Sequence, residues 1–585
     1  MRLSSLAVCA AILFANCAGQ PAQEPATLVL RGGNVVTVNE GQPRAQALAA
    51  RGDRIVAIGT DAEIAPLIGP STEIIDLAGQ TAVPGFIEGH GHFMGLGQAR
   101  MVIDLMDTTS FAQIVAKVAE AAKTAKPGDW ILGRGWHQEK WTTTPSPNVE
   151  GFPYHDALSR AAPDNPVVLE HASGHAAFAN ARAMEAAGVT SKTPNPPGGD
   201  ILKDPAGRPI GIFRETASRL IDTALDAWQA AKTPEQRAAD AHRAIALATE
   251  EAFSKGVTSF QDAGEPFAAI DGIRAAVDRG DVRVRLWVMA SGSVAELATD
   301  LDRYRTVGYA DDRLTVRAIK EYADGAMGSR GAWLLEPYAD KPDSVGLPRP
   351  GMNALPQVAR LAMEKGYQLA VHAIGDRANR EVLNVYERAF ASAGRRGADL
   401  RWRIEHAQHL NGADIPRFAA LGVIASMQPV HATSDGSWVG DRLGPARLEE
   451  GAYVWWKLLA SGASLAAGTD VPVEDVDPIA NYYAAVTRRL ADGRVLTEGQ
   501  KLTRLEALRV LTMGNAFAAF EESIKGSLTV GKLADVTVLS KDITTVPDDD
   551  IRSARVVYTI VGGQIVYVAG GLPGLPVTSP LAPAR

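Results

Sequence analysis

The sequence predicts an α/β protein: a (β/α)8 TIM-type barrel joined to a small composite β-sandwich built from both chain ends, with an insertion after the first barrel strand. Three observations carry this expectation. The middle of the chain alternates short apolar strands with helical patterns, the signature of β/α units and a parallel sheet. Both ends beyond the leader are strand-rich, yet neither holds enough strands to close a core alone. Residues 83–92, Val-Pro-Gly-Phe-Ile-Glu-Gly-His-Gly-His, read as an apolar strand ending in two histidines. Ionisable groups at strand ends favour a barrel over an open sheet, because barrel active sites collect groups from the C-terminal ends of several strands.

The chain has 585 residues, enough for three or four domain-sized units by length alone, with 46% hydrophobic and 22% charged residues. Its net charge of −8 argues against a nucleic-acid surface or an anionic membrane as partner. Residues 1–19 combine Arg2, a short apolar run and small residues, which predicts a secretory signal peptide and a periplasmic or extracellular protein. Cys17 offers a lipoprotein anchor as the alternative, although Asn16 before it fits that poorly. Both cysteines, Cys9 and Cys17, lie in this leader, so thiol chemistry and disulfides are not expected beyond it. No later segment is long and apolar enough to be transmembrane.

Residues 26–80 read as short strands separated by Gly-rich turns, and 526–575 repeat that texture; the two are expected to pair as one β domain. The barrel is expected over 81–525. Within it, 108–235 hold Trp130, Trp136, Trp141 and proline-rich turns that fit no single β/α unit, and are read as an insertion forming a lid or pocket wall. Barrel strands are expected at 314–319, 368–371, 401–404, 423–426 and 464–467, with helices at 234–254, 353–364 and 378–393.

His90 and His92, spaced i, i+2 on a strand, project to one face. Alone, this pair names little. Lys320, His372, His406 and Asp470 each end a further apolar strand. Four His, a Lys and an Asp in register at successive strand ends match a nitrogen- and oxygen-rich metal ligand set.

These motifs resemble the amidohydrolase superfamily, in the branch that includes N-substituted formamide deformylase-like enzymes. The resemblance rests on Pro84-Gly-Phe-Ile-Glu-Gly-His-Gly-His92, Gly174-His-Ala-Ala-Phe-Ala-Asn180, Gly211-Ile-Phe-Arg-Glu215 and Lys320-Glu-Tyr-Ala-Asp-Gly325. It continues through Val371-His-Ala-Ile-Gly-Asp-Arg377, Ile404-Glu-His-Ala-Gln408, Ser426-Met-Gln-Pro429, Ala467-Gly-Thr-Asp-Val-Pro472, Gly514-Asn515 and Gly531-Lys-Leu-Ala-Asp535.

The resemblance implies one or two divalent ions, with zinc expected. His90 and His92 would bind the more buried ion, and His372 and His406 the second. Lys320, N-carboxylated in many relatives, would bridge them; unmodified, it would leave a single metal. Asp470 would bind metal and shuttle the proton. The expected activity is hydrolysis of a non-peptide C–N bond in a small amide-like substrate, by a hydroxide formed at the metal. Deaminase or cyclic-amide hydrolase activity stays open, as does a catalytically silent binding protein on the same fold. The intact ligand set separates the last from the others.

His175, Tyr322 and Gln428 are candidate substrate-binding residues, each with a structural alternative. Asp324, Asp376 and Glu405 are candidates to orient the ligands. His137, His155, His171, His242 and His409 read as structural or surface histidines, and the three tryptophans as core.

Overall fold

The computed structural model describes residues 24–570, apart from Ser173, His175 and the side chain of Glu139. The expected leader lies outside the described residues. Eight strands run parallel and in chain order around the barrel: β1 (Phe86–Gly91), β2 (Val257–Pro266), β3 (Arg285–Ser291), β4 (Leu314–Tyr322), β5 (Gln368–Ala373), β6 (Arg403–His406), β7 (Ile424–Met427) and β8 (Leu465–Ala467). Each pairs with the next, as Ala318 opposite Gln368 and Ala370 opposite Arg403 illustrate. The expected strands from β4 onward are present with ends shifted by one to three residues. β2 and β3 were not distinguished from the sequence. β2 carries Gln261, Asp262 and Glu265 where an apolar run would be sought, and all three are buried.

Between β8 and β1 the barrel is closed largely by side chains. Asn515 donates from its amide to Ile87 O at 2.6 Å and to Ala467 O at 2.7 Å, and accepts from Ala467 N at 2.7 Å. Glu88 accepts from His90 N at 3.1 Å and from the Thr469 backbone and hydroxyl at 2.7 and 2.9 Å. The approach leaves no room for side chains: a Cβ on Gly89 would lie 2.4 Å from Ala467 O, and one on Gly468 2.2 Å from Glu88 Oε1. Asn515 follows a π-helical turn, Val510–Gly514, which rotates it towards the seam.

A six-stranded sheet joins the two chain ends: strands Gln564–Val568, Val556–Val561 and Val536–Leu539 form one half, and Thr81–Pro84, Asn34–Val36 and Arg44–Ala45 the other. A four-stranded sheet from residues 28–76 packs on it through Leu30, Leu48 and Ile75 against Val536, Val538 and Ile560. The connection between β1 and β2 holds its own six-stranded sheet, with separate apolar clusters around Trp136 and around Phe213. It touches the barrel mouth where Arg134 Nε donates to Pro472 O at 3.4 Å. The chain returns to β2 along helix Pro234–Ser254, started by a Thr233–Gln236 capping box. Among the described residues, no helix is long and apolar enough to cross a membrane.

Candidate metal centre at the barrel mouth

All the strand-end residues singled out in the sequence gather at the C-terminal mouth of the barrel. His90 lies within β1, and His92 just beyond it, at the start of helix Phe93–Ala99. Their rings are perpendicular with centroids 5.9 Å apart, and both Nε2 atoms face Asp470 Oδ1, at 3.5 and 3.2 Å. The ring centroids of His90 and His406 are 4.9 Å apart, and those of His372 and His406 4.4 Å. One ligand atom each from His90, His406 and Asp470 lies within 4.8 Å of the others. Asp470 and His406 hold left-handed backbones, φ 59° and 73°, a conformation that costs non-glycine residues about 1–3 kcal/mol and clusters at functional sites.

The donor set passes a simple test for a cation. His90 Nε2 and His372 Nε2 are buried and have no hydrogen-bond partner among the described residues. An unpaired buried ring nitrogen costs about 1–3 kcal/mol, which a metal bond removes. Burial first, then the His406 and Lys320 charges, hold His372 well below its ordinary pKa; burial likewise pushes His406 down to about 3. Burial also lowers His92, against the opposing pull of Asp470. Such rings are neutral at pH 7, as metal ligands must be. His90 is the exception: burial and Lys320 lower its pKa, but Glu405 and Asp470 outweigh them and leave it raised. Asp470 is buried, which alone would raise its pKa, yet the His90 and His92 imidazoles facing it hold it well below the carboxylate range.

Lys320 is 2% exposed at the end of β4. Its ammonium makes one long hydrogen bond, 3.4 Å to Ala263 O, and lies 4.7 Å over the Tyr322 ring, with no ion pair among the described residues. Tyr322 is partly exposed, its ring 5.4 Å from that of His372. Gln428 is spent inside the protein: its Oε1 meets His406 Nδ1 at 2.7 Å and its Nε2 donates to Ser426 O at 3.4 Å, so it orients a histidine. His175 lies outside the described residues. Glu405 hydrogen-bonds His90 Nδ1, and Asp324 accepts from Trp333, Ile374 and Gly375 backbone N–H groups at 2.8–2.9 Å, anchoring the loop after β5.

Glu88 and His431 were not singled out from the sequence, and Arg403 only as one of the arginines that Asp376 or Glu405 could pair with. Arg403 donates to Glu405 at 2.6 and 3.0 Å, and at 2.8 Å to Gly89 O and to Ser426 Oγ. A polar residue at every second position of β6 was the available signal, since Arg403 and Glu405 share a face and point into the barrel. Glu88 lies two residues before His90 on the same logic.

A family model described as the amidohydrolase family matches residues 73–567. The chain is 32% identical over 558 residues to protein LONG AFTER FAR-RED 3 of Arabidopsis thaliana, covering 94% of this chain and 92% of that one. It is 28% identical over 560 residues to N-substituted formamide deformylase of Arthrobacter pascens, covering 93% and 99%. Among solved structures, an uncharacterized metal-dependent hydrolase from Pyrococcus furiosus superposes with a TM-score of 0.69 at 27% identity, over 88% of this chain and all of the other.

Proposed function

The chain belongs to the amidohydrolase family, as a metal-dependent hydrolase of carbon–nitrogen bonds other than peptide bonds, and from that premise we propose that it cleaves a small amide-like substrate at the barrel mouth, with Asp470 moving the proton. The single observation that carries this reading is the convergence of His90, His92, His406 and Asp470 on one point, with ring nitrogens left unpaired around it. His90, His92, Lys320, His372, His406 and Asp470 would hold one or two zinc ions. A zinc ion in such a site supplies a water of near-neutral pKa and polarises a carbonyl.

The residues supply the rest. Asp470, held ionised by its two imidazole neighbours, accepts a proton at its carboxylate from the attacking water and returns it to the leaving nitrogen. Glu405 fixes His90, and Gln428 fixes His406, so that their Nε2 atoms face the centre. Lys320 is proposed to act as its carbamate. A buried ammonium without a carboxylate partner would repel a cation beside it, whereas a carbamate is an anionic oxygen ligand. The insertion sheet reaches the barrel mouth at Pro472, two residues from Asp470.

The name of the Arthrobacter relative points to the first compounds to try. The zinc-loaded chain is to be screened against N-substituted formamides, N-acyl amino acids and cyclic amides. Asp470→Asn should lower turnover by about 100-fold or more while retaining most of the zinc. Turnover that survives the change would remove Asp470 from the proton path.

A further inference from the structure

Helix Pro429–Asp435 begins where β7 ends, with Gln428 as its N-cap residue and His431 in its first turn. Gln428 is committed to His406. His431 is 8% exposed, its Nε2 is buried without a hydrogen-bond partner among the described residues, and its described electrostatic neighbours are Asp435 on the same helix and His406. Its ring lies parallel to that of His406, 11° between planes and 6.4 Å between centroids, and its charge is among those that lower the His406 pKa. The imidazole therefore stands on the wall of the metal centre.

The helix that carries it is braced from behind. Asp435, one turn further on, accepts from the Tyr453 hydroxyl at 2.6 Å and from Gln408 Nε2 at 3.3 Å, and Gln408 Nε2 also donates to the Tyr453 oxygen at 2.6 Å. This network ties the loop after β6 to the helix after β7 and holds the His431 backbone in place. His409 also leaves both ring nitrogens unpaired, but its charged neighbours are Arg447 and Glu450 and its Nε2 is 3.8 Å from Asp376, away from the strand-end ligands. Of these two histidines with unpaired ring nitrogens among the described residues, His431 is the one beside the strand-end ligands.

A buried polar nitrogen beside a reaction centre, left unpaired by the protein, is placed for the substrate. We propose that His431 contacts the substrate directly, donating from Nε2 to the carbonyl oxygen of its amide-like group. This rests on reading the site as an amidohydrolase centre. His90, His92, His372, His406 and Asp470 make up the described ligand set at the floor, and His431, on the wall beside His406, is placed to meet the acyl oxygen, where negative charge grows as the bond is attacked. An imidazole ring nitrogen that carries hydrogen serves there as the donor.

The full-length zinc-loaded chain, His431→Phe, His431→Asn and His431→Gln are compared with N-butylformamide and N-butylacetamide as probes, by zinc content, by turnover and by calorimetric binding. His431→Phe and His431→Asn should keep the parent's zinc, bind the probes more weakly and lose about 10- to 100-fold in kcat/KM. His431→Gln, whose amide N–H reaches about as far as Nε2, should recover to within about tenfold of the parent. Should His431→Phe not fold, the Asn and Gln variants make the same comparison. A Phe or Asn variant within about twofold of the parent overturns the proposal, as does zinc lost in step with activity, which would make His431 a metal-holding residue. If the parent binds the probes without cleaving them, the hydrolytic reading fails and the ratio of affinities alone decides His431. A parent that neither binds nor cleaves them overturns both.

Discussion

Replacing Glu405 by Gln tests whether the barrel interior serves the metal centre. His90, Arg403 and Glu405 are all 0% exposed. The Glu405 carboxylate bonds His90 Nδ1 on one side and receives Arg403 Nε at 2.6 Å on the other. Burial would raise its pKa, but the Arg403 and His90 charges hold it far below the carboxylate range, so it is an anion at any working pH. The Gln variant keeps the shape and one acceptor but removes the charge. Two costs follow. Arg403 becomes a buried cation without its anion, and breaking one side of a buried pair costs about 3–5 kcal/mol. His90 loses the partner that orients it and makes it a better donor, a change worth about 10- to 100-fold in metal affinity. The stability term is the larger, since 100-fold corresponds to about 2.8 kcal/mol. The expected outcome is zinc bound 10- to 100-fold more weakly, about the range for such partners, in a competition titration with a chromophoric chelator, together with a lower urea midpoint. Replacing both Arg403 and Glu405 by Met separates the two costs: stability returns in part while zinc affinity does not. A Glu405→Gln protein that binds zinc within about twofold of the parent would refute the argument that this network tunes the centre.

Asn515→Ala removes three hydrogen bonds across the barrel seam and leaves buried Ile87 and Ala467 backbone groups unpaired, so a loss of about 3–5 kcal/mol in urea unfolding is expected. Because His90 and Asp470 lie on opposite sides of that seam, zinc retained after desalting should fall too, and unchanged retention would show that Glu88 holds the seam unaided. Asp535→Asn breaks the buried pair between the β-sandwich and β3, in which Arg285 Nε donates to Asp535 at 2.8 Å, at a cost of about 3–5 kcal/mol at neutral pH. Burial would raise the Asp535 pKa, but Arg285 holds it below its ordinary 3.8, so the contribution is fully present above that value and lost as pH falls through the lower folded one. Urea midpoints of parent and variant should therefore converge below about pH 4, and a gap that ignores pH would assign the loss to something other than the ion pair.

The sequence by itself determined the barrel from β4 onward, the β-rich character of both ends and the ionisable residues at the ends of β1, β4, β5, β6 and β8. These are local properties: apolar runs of strand length, turn residues between them, and an ionisable group at a fixed place in each run. β2 was missed because from its middle onward it carries Gln261, Asp262 and Glu265, which no local pattern marks as buried. The same limit hid what shapes the centre. Glu405 orients a histidine 315 residues away, and Asn515 closes the barrel onto a carbonyl 428 residues away. His431 reads locally as an ordinary helical residue, and only its place beside His406 shows a buried nitrogen with nothing to bond. The left-handed backbones of His406 and Asp470 are likewise invisible in residues that seldom adopt them. Periodicity along the chain sets which residues can face the barrel mouth. Which of them are paired there, and which are left for a metal or a substrate, depends on contacts between strands that only the closed barrel brings together.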